Sequence, residues 1–109
     1  MRTLDQLEQT IAARRSTADT TSSYTARLLA AGVGKIGEKV LEEAGEVVAA
    51  AAEPGEDGRL HTVCEAADLV YHLMVLLAAR DVSFAEVEAE LGRRFGMSGL
   101  EEKASRASS

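Results

Sequence analysis

Glu42, Glu43 and Glu46 stand together in one short stretch of this 109-residue chain, and Glu65 and Asp68 stand together in another. Both stretches otherwise carry the apolar spacing of helices. On a helix each residue advances about 100°, so the three glutamates fall within about 100° of arc, and Glu65 and Asp68, at i and i+3, share a face. At ~4 Å and an effective dielectric of about 20, each like-charged pair costs on the order of 4 kcal/mol. Acids gathered in this way need a cation, or some of them must protonate. With one cysteine and two histidines in the chain, oxygen donors dominate. Such a set suits a hard cation: Mg²⁺, with Mn²⁺ as the alternative. Magnesium keeps several waters and takes further ligands from substrate phosphates, which leads from acidic helices to phosphate chemistry. For Glu42 and Glu43 alone, a solvated acidic face is the simpler reading. Glu65 and Asp68 interrupt the apolar pairs Val63-Cys64 and Leu69-Val70, where unpaired acids are expensive. Taken together, the two clusters favour a metal set of Glu42, Glu43, Glu46, Glu65 and Asp68.

Other side chains are candidates for supporting roles. Lys35 and Lys39 lie one and two turns before Glu42-Glu43; they either hold substrate phosphates or pair with Glu38, Glu42 and Glu43. His72, one turn past Asp68, is read as a hydrogen-bonded core histidine, with a ligand or base role as the alternative. Tyr71 is read as packing with its hydroxyl at an edge. Arg93-Arg94 reads as surface charge favoured by a helix end. Arg27, Arg80 and Arg93 are the basic residues open to base and ribose recognition. Gly45, which costs about 1 kcal/mol inside a helix, suggests a close helix crossing. Cys64 is expected to be a buried thiol.

These residues need helices to hold them. Leu4, Leu7 and Ile11 predict a first amphipathic helix near 3–15. A loop is expected over 16–22, then a short helix capped by Ser22 or Ser23 through Leu29, with Gly32 and Gly34 in a turn. The third helix should span about 35–52, with an apolar stripe of Ile36, Val40, Ala44, Val47 and Ala51. The run Glu53-Pro-Gly-Glu-Asp-Gly58 makes the sharpest loop. A fourth helix is expected over about 59–80, with Asp57 as its N-cap. Ser83 and Glu86 form a capping-box signature for a fifth, about 84–95, stopped by Gly96. The fold class is therefore all-α, a small bundle of about five helices over 1–96, followed by a polar, frayed tail over 97–109. From Leu69 to Ala79 the fourth helix is apolar almost all round, broken by His72. Such an element needs cover on every side, and a homodimer with this helix near the interface supplies it.

Composition narrows the partners. Net charge is −6 overall, and residues 35–68 hold nine acids against three bases, so they carry all of that excess. Nucleic acid is disfavoured as a partner, since phosphate backbones want basic surfaces. Asp5 and Glu8 break any signal-peptide pattern. No uninterrupted apolar run reaches the length of a membrane span, so no membrane partner is expected. A cytoplasmic, reduced setting follows.

At Lys35-Ile-Gly-Glu-Lys-Val-Leu-Glu-Glu-Ala-Gly-Glu-Val-Val and at Glu65-Ala-Ala-Asp-Leu-Val-Tyr-His-Leu, the chain resembles the phosphoribosyl-ATP pyrophosphatases of histidine biosynthesis. Their wider relatives are the all-α nucleoside triphosphate pyrophosphohydrolases of the MazG type. Ser23-Tyr24-Thr25, followed by Leu28-Leu29, resembles the early segment of the same family. The resemblance covers Leu4 to about Arg94; glycine at position 45 departs from the family pattern. It implies Mg²⁺-dependent hydrolysis of phosphoribosyl-ATP to phosphoribosyl-AMP and pyrophosphate by an obligate dimer of helical bundles. Glu42, Glu43, Glu46, Glu65 and Asp68 would hold magnesium. Glu43 or Glu46 would activate water, and Lys35 and Lys39 would hold distal phosphates. The rival readings are a house-cleaning nucleoside triphosphate pyrophosphohydrolase with the same metal cluster, and a non-catalytic helical dimer whose acids are merely solvated.

Overall fold

A computed structural model describes residues 1–17, 23–95 and 99–107. Six helices lie among them: α1 (Thr3–Thr17), α2 (Tyr24–Ala31), α3 (Val33–Ala51), α4 (Gly55–Ala79), α5 (Phe84–Arg93) and α6 (Gly99–Ala107). The described residues hold no strand, so the all-α class holds.

Capping chemistry sets most boundaries. Ser23 is the N-cap of α2, its hydroxyl accepting from the Ala26 N–H at 3.1 Å. Gly32 closes α2 with φ +95°, a left-handed conformation that suits glycine, and its N–H returns to the Leu28 carbonyl at 3.2 Å. Gly34 already lies inside α3 rather than in the turn. Ser83 and Glu86 form both halves of a capping box on α5: the Ser83 hydroxyl accepts from the Glu86 N–H, and Glu86 accepts from the Ser83 N–H at 2.7 Å.

The start of α4 differs from expectation. The helix begins at Gly55 with Pro54 as N-cap, so Asp57 sits in the first turn rather than capping it. Proline suits a helix entry because the N–H it lacks would have no partner there, and Glu56 and Asp57 then face the positive helix end. The C-terminal segment also differs. Part of the expected frayed tail is α6, whose leucine, alanine, glutamate, lysine and arginine are good helix formers. The Gly96 stop and most of the 16–22 loop lie outside the described residues.

The core is Ile11, Leu28, Ile36, Met74 and Val75, ringed by Leu4, Leu7, Val70, Tyr71 and Phe84. It forms where α1 and α2 meet the start of α3 and the end of α4. Two polar clamps tie this end shut. Glu8 accepts from the Phe84 N–H at 2.7 Å, and Arg15 donates to the Ala78 carbonyl at 2.7 Å while pairing with Asp81. Asp81 holds φ +56° just beyond α4.

The remainder of α3 and α4 is an antiparallel pair with one bare face. The buried position near the end of α3 is Ala50, and Ala51 is exposed, so the expected stripe turns by one residue there. Leu41 and Val48 on α3 are 76% and 71% exposed, and Leu60 and Val63 on α4 are also exposed. Cys64 lies exposed beside Val63, not buried, because no element among the described residues covers the outer side of α4. The whole of α4 is long and apolar enough by composition to cross a membrane, with mean hydropathy 1.5 over its most apolar window. Only 17% of that window is buried in the single chain.

Candidate metal centre

The α3–α4 turn makes the two helices antiparallel, and this brings the acidic stretches face to face. One carboxylate oxygen from each of Glu43, Glu46 and Glu65 lies within 4.8 Å of the others. Glu43 and Glu65 are largely buried, with side chains 12% and 17% exposed, whereas Glu46 stands at the open side. Oε2 of Glu43 and Oε2 of Glu65 are buried with no hydrogen-bond partner. Two buried carboxylate oxygens without partners, beside a third acid, form a donor set whose chemistry fits a hard cation.

The electrostatics agree. Glu43 is pushed up to about 7, first by burial, then by the close approach and charge of the Glu46 carboxyl and by the charges of Asp68 and Glu65. Glu65 is also raised, first by the close approach of the Glu46 carboxyl, then by burial and the Glu46 charge; His61 pulls the other way. Without a cation, protons held among the carboxyls relieve the repulsion.

Three of the five expected metal ligands therefore meet directly. Asp68 is close enough for its charge to raise both buried acids, although it is exposed on α4. Glu42 is exposed and pairs with Lys39 at 3.6 Å, while Lys35 pairs with Glu38 at 3.3 Å. Arg93, expected as surface charge at a helix end, donates to Glu90 at 2.9 Å.

His72 is 7% exposed. Its Nδ1 lies 3.0 Å from the Asp68 carbonyl oxygen. That oxygen can only accept, so Nδ1–H donates, and in the neutral ring Nε2 accepts from the Tyr24 hydroxyl at 3.1 Å. Glu43 Oε1 lies 3.9 Å from Nδ1, so this ring also walls the buried acid. The next pair repeats the pattern, with the Thr25 and Tyr71 hydroxyls bonded to each other. The Ser23-Tyr24-Thr25 and Tyr71-His72 motifs, 46 to 48 residues apart in sequence, are thus two halves of one contact locking α2 onto α4 behind the acids.

Sequence reasoning missed His61. Its Nε2 lies 3.2 Å from Glu65 Oε1, and its Nδ1 lies 3.0 and 3.1 Å from the two oxygens of Glu53. The hydrogen bond and charge of Glu53 hold its pKa above the ordinary histidine value, with Glu65 adding to the effect. The signal was present as i, i+4 spacing to Glu65, but only the turn brings Glu53 within reach. Gly45 has no atom within 4 Å of an added Cβ, so the expected close crossing there does not occur within one chain.

Comparison with known proteins gives the family. Residues 4–95 match the family described as phosphoribosyl-ATP pyrophosphohydrolase. The chain is similar to a protein of Erythrobacter litoralis named phosphoribosyl-ATP pyrophosphatase, with 59% identity over 97% of this chain and 98% of that protein. Proteins of the same name from Rhizorhabdus wittichii and Rhodopirellula baltica are 58% and 50% identical, over 95% and 94% of this chain and 94% and 85% of their own lengths. The span of these matches makes this chain a member of the phosphoribosyl-ATP pyrophosphohydrolase family.

Proposed function

We propose that this chain hydrolyses phosphoribosyl-ATP to phosphoribosyl-AMP and pyrophosphate in histidine biosynthesis. The observation that carries this reading is the meeting of Glu43, Glu46 and Glu65, with two buried oxygens lacking partners. The names and coverage of the relatives supply the substrate. Glu43, Glu46 and Glu65 would hold Mg²⁺, with Asp68 at the rim and Glu42, now paired with Lys39, as a further donor on the same helix. Bound magnesium supplies charge neutralisation at the triphosphate oxygens and on the leaving pyrophosphate.

The protein's own groups do the rest. Water attacks the α-phosphorus, the bond between that phosphorus and the α–β bridging oxygen breaks, and the water's proton passes to a carboxylate. Glu43, largely buried beside the cluster, is the first candidate for that acceptor, through the oxygen the metal would leave free. Glu46, more open, is the alternative. Lys35 and Lys39 take the distal phosphates by exchanging their surface ion pairs, which are weak enough to give up. His72, Tyr24 and Tyr71 keep the back wall fixed.

The enzyme works as a homodimer, the second copy covering Leu41, Val48, Leu60 and Val63. This cover also accounts for α4 being apolar enough for a membrane while carrying Glu65 and Asp68 at its middle. A soluble protein in a reducing cytoplasm suits an exposed cysteine. The test is pyrophosphate release from phosphoribosyl-ATP with and without Mg²⁺. Turnover should require the metal and vanish in both Glu46→Ala and Asp68→Ala; retained turnover in both variants at saturating Mg²⁺ refutes the site. Preference for modified or ordinary nucleoside triphosphates in the same assay refutes the substrate.

A further inference from the structure

The two oxygens of Glu65 are in different situations. Oε1 lies 3.2 Å from His61 Nε2, whereas Oε2 is buried and unpartnered. His61 is one turn earlier on α4 and is itself held from the other side, its Nδ1 lying 3.0 and 3.1 Å from the Glu53 oxygens. Glu53 belongs to the α3–α4 turn, and the backbone there is tightly seated: a Cβ added to Gly58 would fall 2.1 Å from the Glu53 carbonyl oxygen. A line of contacts therefore runs from the turn, through Glu53 and the imidazole, to one oxygen of a buried acid. A glutamate has three side-chain torsions, and on a helix facing a gap its two oxygens can exchange places unless one of them is held.

We propose that His61 is a positioning residue for the metal centre. Anchored by Glu53, it grips Oε1 of Glu65 and so turns Oε2 toward the space shared with Glu43 and Glu46. The inference rests on the reading of that cluster as a magnesium site. His61 does not touch the cation; it acts through Glu65. Groups that hold a ligating carboxylate in this way typically change metal affinity by about 10- to 100-fold when removed.

The test uses the full chain without substrate. Mg²⁺ is titrated while melting temperature is followed, and calorimetry gives the affinity directly. His61→Ala should raise the half-saturating Mg²⁺ concentration by about 10-fold or more, while the melting temperature of the metal-free protein shifts far less. His61→Gln, whose amide N–H still reaches Glu65 at i, i+4, should recover most of the affinity. Excess Mg²⁺ should restore pyrophosphate release in His61→Ala. If alanine does not fold, His61→Leu keeps the bulk and removes the hydrogen bond. Wild-type binding with unchanged affinity in the alanine or leucine variant overturns the role of His61 and leaves the metal site standing. A glutamine variant as weak as alanine overturns it too. A wild-type chain with no Mg²⁺ response overturns both readings.

Discussion

Replacing Glu46 with glutamine should stabilise the metal-free protein and remove its response to magnesium. Oxygens of Glu43 and Glu46 lie within 4.8 Å of each other. Two full charges at that distance repel by about 3.5 kcal/mol at an effective dielectric of about 20. Glu46 is exposed and Glu43 holds a proton part of the time, so screening brings the relief down to roughly 1 kcal/mol. That corresponds to a rise of about 4 °C in melting temperature for a domain of this size.

The pH dependence gives the sharper readout. Glu43 is raised from 4.5 to about 7 in the folded protein, so between those values the folded state binds more protons than the unfolded one. Stability contributed by this group is complete below about pH 4.5 and is lost as pH rises through about 7. Glu46→Gln removes the second and third causes of the shift, and the slope over that window should flatten. Saturating Mg²⁺ reverses the picture in the wild type, because the cation competes with the proton. At a hundred times its dissociation constant it should add about 2.7 kcal/mol, roughly 10 °C, and Glu46→Gln should lose most of that gain. Thermal melts at fixed protein concentration from pH 4 to 8, with Mg²⁺ and with chelator, measure all of this. A metal-free Glu46→Gln protein less stable than wild type at neutral pH, or one with an undiminished Mg²⁺ response, would refute the reasoning.

Other outcomes follow from single contacts. Gly58→Ala drives a Cβ against the Glu53 carbonyl and should cost on the order of 1–3 kcal/mol, read as a lower urea midpoint with an unchanged slope. Tyr24→Phe deprives the buried His72 Nε2 of its partner and should cost about 1–3 kcal/mol in the same measurement. Val48→Asp puts a charge on the bare face of α3 and should halve the mass seen by sedimentation velocity; a wild-type chain already of monomer mass would refute the dimer.

The helices were legible where local chemistry decides them. The Ser83–Glu86 box and the Ser23 cap each act within one turn, so the sequence contains the whole interaction. The α4 start was misjudged because proline and aspartate can both open a helix, and the choice depends on how the turn seats Glu53 on Gly58. Cys64, Val63 and Asp68 sit in an apolar run yet are exposed, since periodicity tells which residues share a face and not whether anything covers it. His72 was read correctly as a hydrogen-bonded core residue, but its partner in Tyr24 is far away in sequence.

By itself the sequence determined that Glu42, Glu43 and Glu46 share one helical face, that Glu65 and Asp68 share another, and that so many acids need charge compensation. Helical geometry is local, so spacing is enough for that. Tertiary structure alone decided that Glu43, Glu46 and Glu65 converge while Glu42 pairs with Lys39, and that Glu43 is the acid raised to about 7. It also placed His61 between Glu53 and Glu65. Each of these depends on the rotation of α3 and α4 about their own axes and on how deeply each side chain is buried. The turn and the core at the far end of the helix pair set both.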